Sequence, residues 1–148
     1  MLVGWREMVS LPDFAGVRIP AKIDTGARTS SLHATEIERF DRGGQRWVRF
    51  LLDLGQGRNE AVTCEVPRVD RRIITSSNGE SQDRFIIRTR LVLGEHAFRA
   101  EFSLANRSDM KFPILIGRTA LKGRFLVDPG RSWLQSSRQE RMILKNQG

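Results

Sequence analysis

Ala21-Lys22-Ile23-Asp24-Thr25-Gly26-Ala27 is the stretch from which the fold can be read. It closes a longer alternation, Val17-Arg18-Ile19-Pro20-Ala21-Lys22-Ile23, in which apolar and polar residues take turns as a half-buried strand requires. The strand runs without a spacer into Asp-Thr-Gly, which places a carboxylate at a strand end in a tight loop. Gly26 lets neighbouring backbone approach closely, the Thr25 hydroxyl can lock the loop by a hydrogen bond, and the apolar lead-in buries its base. Taken alone, such a triplet is more often a plain turn.

Period-two patterning continues outward from this strand. Trp47-Val48-Arg49-Phe50-Leu51-Leu52 reads as a second strand, with turn signals before it at Gly43-Gly44 and after it at Gly55-Gln56-Gly57. Arg84 to Leu93 is a longer strand, and Gly94-Glu95-His96 turns the chain into another from Ala97 to Leu104. Two segments read as helical: Arg118 to Lys122 and, with a poorer pattern, Ser136 to Leu144. The class is therefore mainly β. With no internal repeat, low-complexity linker or break in composition, residues 1–148 read as a single domain, a small closed or sandwiched barrel.

A chain of 148 residues with 39% hydrophobic content can bury one core and has no long uncharged apolar run to span a membrane. Met1-Leu2-Val3-Gly4-Trp5-Arg6-Glu7 meets charged residues before a signal-peptide core could form, which predicts a cytoplasmic protein. Cys64 is the only cysteine, so there is neither an intramolecular disulfide nor a multi-thiolate zinc site. The net charge of +8 arises from 21 arginines and four lysines against 17 acids. Guanidinium forks suit carboxylate or phosphate partners. However, the arginines are scattered, and no RRM, zinc-finger or basic-helix signature accompanies them, so nucleic acid ranks last among the partners considered.

A second element changes the weight of the triplet: Phe112-Pro113-Ile114-Leu115-Ile116-Gly117-Arg118-Thr119-Ala120-Leu121, an apolar strand running into Gly-Arg and a short helix. Asp-Thr-Gly-Ala followed later by such a strand and helix resembles the retropepsin aspartic peptidases. The text from Ala21 through Arg28-Thr29-Ser30-Ser31-Leu32-His33-Ala34, then Ser103-Leu104-Ala105-Asn106-Arg107 and Met110, then Leu115 to Arg118, is similar to one subgroup of that family. That subgroup is often labelled ATP-dependent zinc proteases and is associated with ATP-grasp glutamate ligases. The likeness covers residues 2 to 135 and implies a small closed barrel with one short helix after the Ile-Gly-Arg strand.

The label is not supported by the residues themselves. A zinc peptidase of the common kind needs two histidines one helical turn apart with a glutamate between them, and His33 and His96 are the only histidines. There is no phosphate-binding Gly-x-x-x-x-Gly-Lys-Ser/Thr loop either. We therefore expect no cofactor and no metal, with His33 a satisfied barrel residue and Cys64 a small buried hydrophobe.

The resemblance implies a dyad, because two carboxylates must share one proton for one to act as base while the other acts as acid. Asp53-Leu54-Gly55 and Asp128-Pro129-Gly130 lack the hydroxyl and the strand pattern, so the second carboxylate is expected from another copy. The reading is a homodimer with Asp24, Thr25 and Gly26 catalytic, Thr25 supporting the opposite loop and Gly117 and Arg118 supporting it from beneath. A hairpin from Arg72 to Ile87, tipped by Ser76-Ser77-Asn78-Gly79, is either the substrate-covering flap or an ordinary connection. Residues 41 to 70 read as an insertion relative to compact viral members. Ala27 and Arg28 follow the loop directly; Arg28 either favours an acidic substrate, such as oligoglutamate, or pairs with Glu36 or Asp109. Against the peptidase stands a catalytically silent barrel that binds an acidic partner.

Overall fold

The computed structural model describes residues 1–55, 61–75, 78–106 and 111–136. Within them run β1 (Leu2–Gly4), β2 (Arg6–Leu11), β3 (Ala15–Ile23), β4 (Ser30–Arg42), β5 (Gln45–Asp53) and β6 (Ala61–Pro67). There follow β7 (Asp70–Thr75), β8 (Ser81–Leu93), β9 (His96–Ala105), β10 (Ile114–Ile116), α1 (Arg118–Leu121) and β11 (Leu126–Asp128). Each strand expected from the alternation is present, and the helix after Gly117 ends one residue earlier than expected. Ser136 is a bend. The rest of the second expected helix lies outside the described residues, as do Gln56, Gly57, Ser76, Ser77, Arg107, Asp109 and Met110.

Strands β10, β3, β2, β8, β9 and β4 pair in that order, and β4 pairs in turn with β10, closing a six-stranded barrel. Closure leaves these strands no free edge inside the ring. Each contributes a fully buried apolar side chain to one cluster: Leu11, Ile19, Leu32, Leu91, Phe102 and Ile114. Burial of each stabilises the fold by roughly 1.5–3 kcal/mol. Strands β5 and β6 extend outward from β4 and add Val48, Phe50 and Cys64 to the same cluster. They make up much of the segment expected as an insertion. No helix among the described residues is long and apolar enough to cross a membrane.

Two turns show how local chemistry sets register. Arg42 lies opposite Gln45, so Gly43-Gly44 is a two-residue hairpin loop, and both glycines have positive φ, 58° and 79°. Asn78-Gly79 carries the same kind of signal, yet Thr75 lies opposite Ser81, which leaves a five-residue loop. There Gly79 has positive φ, and Asn78 Oδ1 accepts the Glu80 amide at 3.2 Å.

Candidate active site

Strand β10 lies between β3 and β4, parallel to the first and antiparallel to the second, so the connection from Asp24 to Thr29 bridges its end. The Asp24 amide donates to Ile116 O at 2.8 Å and continues the β3–β10 ladder into the loop. At the turn itself Asp24 Oδ1 accepts the Gly26 amide at 2.9 Å. The loop then rests on the start of α1: the Arg118 amide donates to Ala27 O at 2.8 Å, the Thr119 amide to Arg28 O at 3.1 Å, and Arg118 Nη1 to Thr25 O at 3.0 Å. Beneath it the Gly117 amide donates to Ser30 Oγ at 3.0 Å. A Cβ on Gly117 would stand 2.8 Å from the Thr29 carbonyl carbon and 2.9 Å from Ala27 O, so no side chain fits there. The Gly-Arg pair and the Asp-Thr-Gly-Ala loop are thus a single hydrogen-bonded unit.

This unit forms one wall of a cleft of about 880 Å³. Of the residues singled out from the sequence, Asp24, Gly26, Ala27, Arg28 and Arg118 line it. Thr25 is exposed, and its hydroxyl makes no hydrogen bond to a described residue. The facing wall is β7, from Arg72 to Thr75, with Ile73 74% exposed. The hairpin expected as a flap therefore borders the cleft through its first arm, while Asn78 and Gly79 lie at its tip, beyond the lining. Arg28 is exposed and makes no ion pair with Glu36 or any other described residue; Asp109 lies outside them.

The sequence reading missed the floor of the cleft. Register puts Ser31 opposite Ser103 and Ser103 opposite Ile86, and Arg84 follows two residues from Ile86 on the same face. Arg84 is only 6% exposed; its Nη1 donates to Ser103 Oγ at 3.2 Å and Ser31 Oγ at 3.4 Å. Arg72, opposite Arg84 across the hairpin, pairs with Asp70 and with Glu101. Among the described residues, the lining of the cleft thus holds four arginines, Arg28, Arg72, Arg84 and Arg118, against two carboxylates, Asp24 and Glu101. A signal existed: Arg84 and Ile86 share a strand face, and Ile86 is fully buried.

The donors a zinc ion would need do not fit one. Among the described residues no three His, Cys, Asp or Glu side chains are grouped to hold a metal. Cys64 is buried, its thiol pushed up to about 12 by burial and aimed at Val62 O. His96 packs edge-on against Phe125 at 5.0 Å.

A family model described as retropepsin-like aspartic endopeptidase RimB matches residues 2–138. Proteins named probable alpha-L-glutamate ligase are similar to the chain. The one from Desulfotalea psychrophila is 41% identical over 129 residues, 86% of this chain and 28% of its own length. That from Shewanella pealeana is 41% identical over 133 residues, 89% of this chain and 29% of its own. That from Parasynechococcus marenigrum is 39% identical over 144 residues, 96% and 31%. The chain spans under a third of the length of these curated relatives. A crystal structure of a Legionella pneumophila protein of unknown function aligns with a TM-score of 0.77 at 25% identity, covering 91% of this chain and 98% of that one.

Proposed function

The chain belongs to the family described as retropepsin-like aspartic endopeptidase RimB, and we propose that it is an aspartic-type peptidase that acts as a homodimer on glutamate-rich peptides or tails. The observation that carries this reading is the Asp24 loop, pinned by β10 and α1 so that its half-buried carboxylate faces the cleft. Two such carboxylates across a two-fold axis cannot both ionise and share one proton. The ionised member takes a proton from water as the water oxygen attacks the amide carbon. The protonated member gives its proton to the carbonyl oxygen. In the collapse of this diol the C–N bond breaks as the carboxyl group that took the water proton gives it to the leaving nitrogen. The other carboxylate takes a proton from one diol hydroxyl, leaving a carboxylic acid and restoring the dyad's single proton.

The acidic substrate is supported by the four arginines of the cleft and by the relatives whose names describe ligation of α-L-glutamate. A hydrolase of this kind stands opposite such a ligase, removing the residues it adds. The test is cleavage of oligoglutamate by the wild type and by Asp24→Asn, whose amide is nearly isosteric and cannot share the proton. Activity is expected to fall by roughly 10²–10⁴-fold or more with an unchanged melting temperature. Hydrolysis by Asp24→Asn near the wild-type rate overturns the mechanism. Tight oligoglutamate binding with no cleavage by the wild type identifies a silent binding barrel instead.

A further inference from the structure

A second basic site lies outside the cleft. Two adjoining depressions, of about 510 and 360 Å³, share Arg46, Arg68 and Arg71 in their walls, and Arg39 joins the larger one. Three separate segments build this groove. The end of β4 supplies Arg39 and the start of β5 supplies Arg46. The crossing from β6 to β7 supplies Arg68, whose amide donates to Arg46 O at 3.0 Å.

The groove's charge is largely uncompensated. Arg71 is paired with Asp83, whereas Arg39, Arg46 and Arg68 make no ion pair with any described residue. Among the described residues the walls hold two carboxylates, Asp41 and Asp70, and Asp70 is already engaged by Arg72. By contrast Arg42, Arg49, Arg72, Arg88 and Arg90 all have acidic partners.

Cleft and groove lie on opposite faces of one hairpin. Arg72 and Arg84 are directly opposite in the β7–β8 ladder and face the cleft; Arg71 and Phe85 form the neighbouring pair and turn the other way. Arg68 and Arg71 stack on the Phe85 ring at 5.1 and 5.8 Å, which fixes them on that outer face. Strand β7 pairs with β8 and with no other described strand. An extended chain leaving the cleft can therefore pass over the open edge of β7 and arrive among these arginines.

We propose that this groove is an exosite holding a distal stretch of an acidic polypeptide whose nearer stretch lies in the Asp24 cleft. The inference rests on the acidic-substrate reading above. Carboxylate-rich peptide fits better than nucleic acid because the local rings are already covered. Phe40 carries Arg42 and Arg49, and Trp47 carries Arg42 at 4.4 Å, so base stacking is not on offer.

The experiment compares fluorescent oligoglutamates in an Asp24→Asn background, where binding is read without cleavage. A peptide of about four residues reaches about 14 Å at most, while one of about twelve reaches about 40 Å and has chain to spare beyond the part held in the cleft. The longer peptide should bind more tightly. Adding Arg39→Gln and Arg46→Gln, both at exposed positions, should weaken the longer peptide by roughly 10-fold and flatten its salt dependence, bringing it towards the shorter one. Arg39→Glu with Arg46→Glu should deepen that loss. A length advantage that survives these changes, or equal losses for both peptides, overturns the exosite. Loss of single-stranded RNA binding with oligoglutamate binding intact also overturns it, in favour of a nucleic-acid surface. If neither oligoglutamate binds and a neutral peptide does, the acidic-substrate reading fails and the exosite falls with it.

Discussion

Asp24, Asp53 and Asp128 make the same local turn, each Oδ1 accepting the amide two residues on, at 2.9, 2.8 and 2.9 Å. The triplet alone therefore could not single out a site; only Asp24 also has its loop carried on a Gly-Arg helix start. Glu7 was illegible for a related reason. Its fully buried carboxylate accepts the amides of Gly4 at 2.7 Å and of Leu134 and Gln135 at 2.9 Å, and two of these three partners are more than 120 residues away. Glu7→Gln replaces one acceptor oxygen with a donor facing an amide, and should cost about 1–3 kcal/mol in chemical denaturation. Cys64 was legible from its apolar alternation, and its burial makes a pH claim. The thiol ionises near 9 when unfolded but only at about 12 in the native state. The native state thus holds the proton that the unfolded chain gives up, so this contribution to stability is intact below pH 9 and is lost as pH rises towards 12. Alkylation of native protein at pH 8 should be slow and should become fast in denaturant; fast native alkylation would contradict the burial.

At the scale of elements, alternation gave the strands because each ring strand buries one face, and period two reports burial directly. Alternation does not report partners. The closure of β4 on β10 depends on residues about 80 positions apart, and the five-residue loop after β7 overrides an Asn-Gly signal that fits a shorter turn. The loop and α1 were legible as two motifs but not as one unit, since the carbonyl contacts around Gly117 exist only after folding. This sets a prediction. Gly117→Ala should destabilise the protein by about 1–3 kcal/mol, and the fraction that stays folded should lose activity because the Asp24 loop must shift. Gly16→Ala is the control: nothing lies within 4 Å of its Cβ position and its φ is not left-handed. Its unfolding midpoint should stay level or rise by up to about 1 kcal/mol in stability. Equal losses at both glycines would remove the argument from close approach.

The whole molecule bears directly on the proposed homodimer. One chain presents one Asp-Thr-Gly, its Thr25 hydroxyl without a described partner, and an apolar pair, Leu2 and Leu126, 40% and 74% exposed on the small β1–β11 sheet. Exposed Thr25 beside a lone half-buried Asp24 is what a loop completed by its symmetry mate would look like when seen alone. Sedimentation should give twice the chain's 16.9 kDa, and activity per mole should fall on dilution. Subunit mixing separates this from a monomer that works with one carboxylate. Equal amounts of wild type and Asp24→Asn, exchanged to equilibrium at constant total protein, leave about a quarter of the dimers with two aspartates, so activity should fall to about a quarter of the wild-type value. A chain that acts alone would retain about half, because the variant only dilutes it. The two outcomes differ by a factor of about two in a single assay, and they do not require knowing which surface forms the interface. Retention near half, together with a monomeric mass, would show that Asp24 works without a mate and would leave the shared-proton mechanism without its second carboxylate.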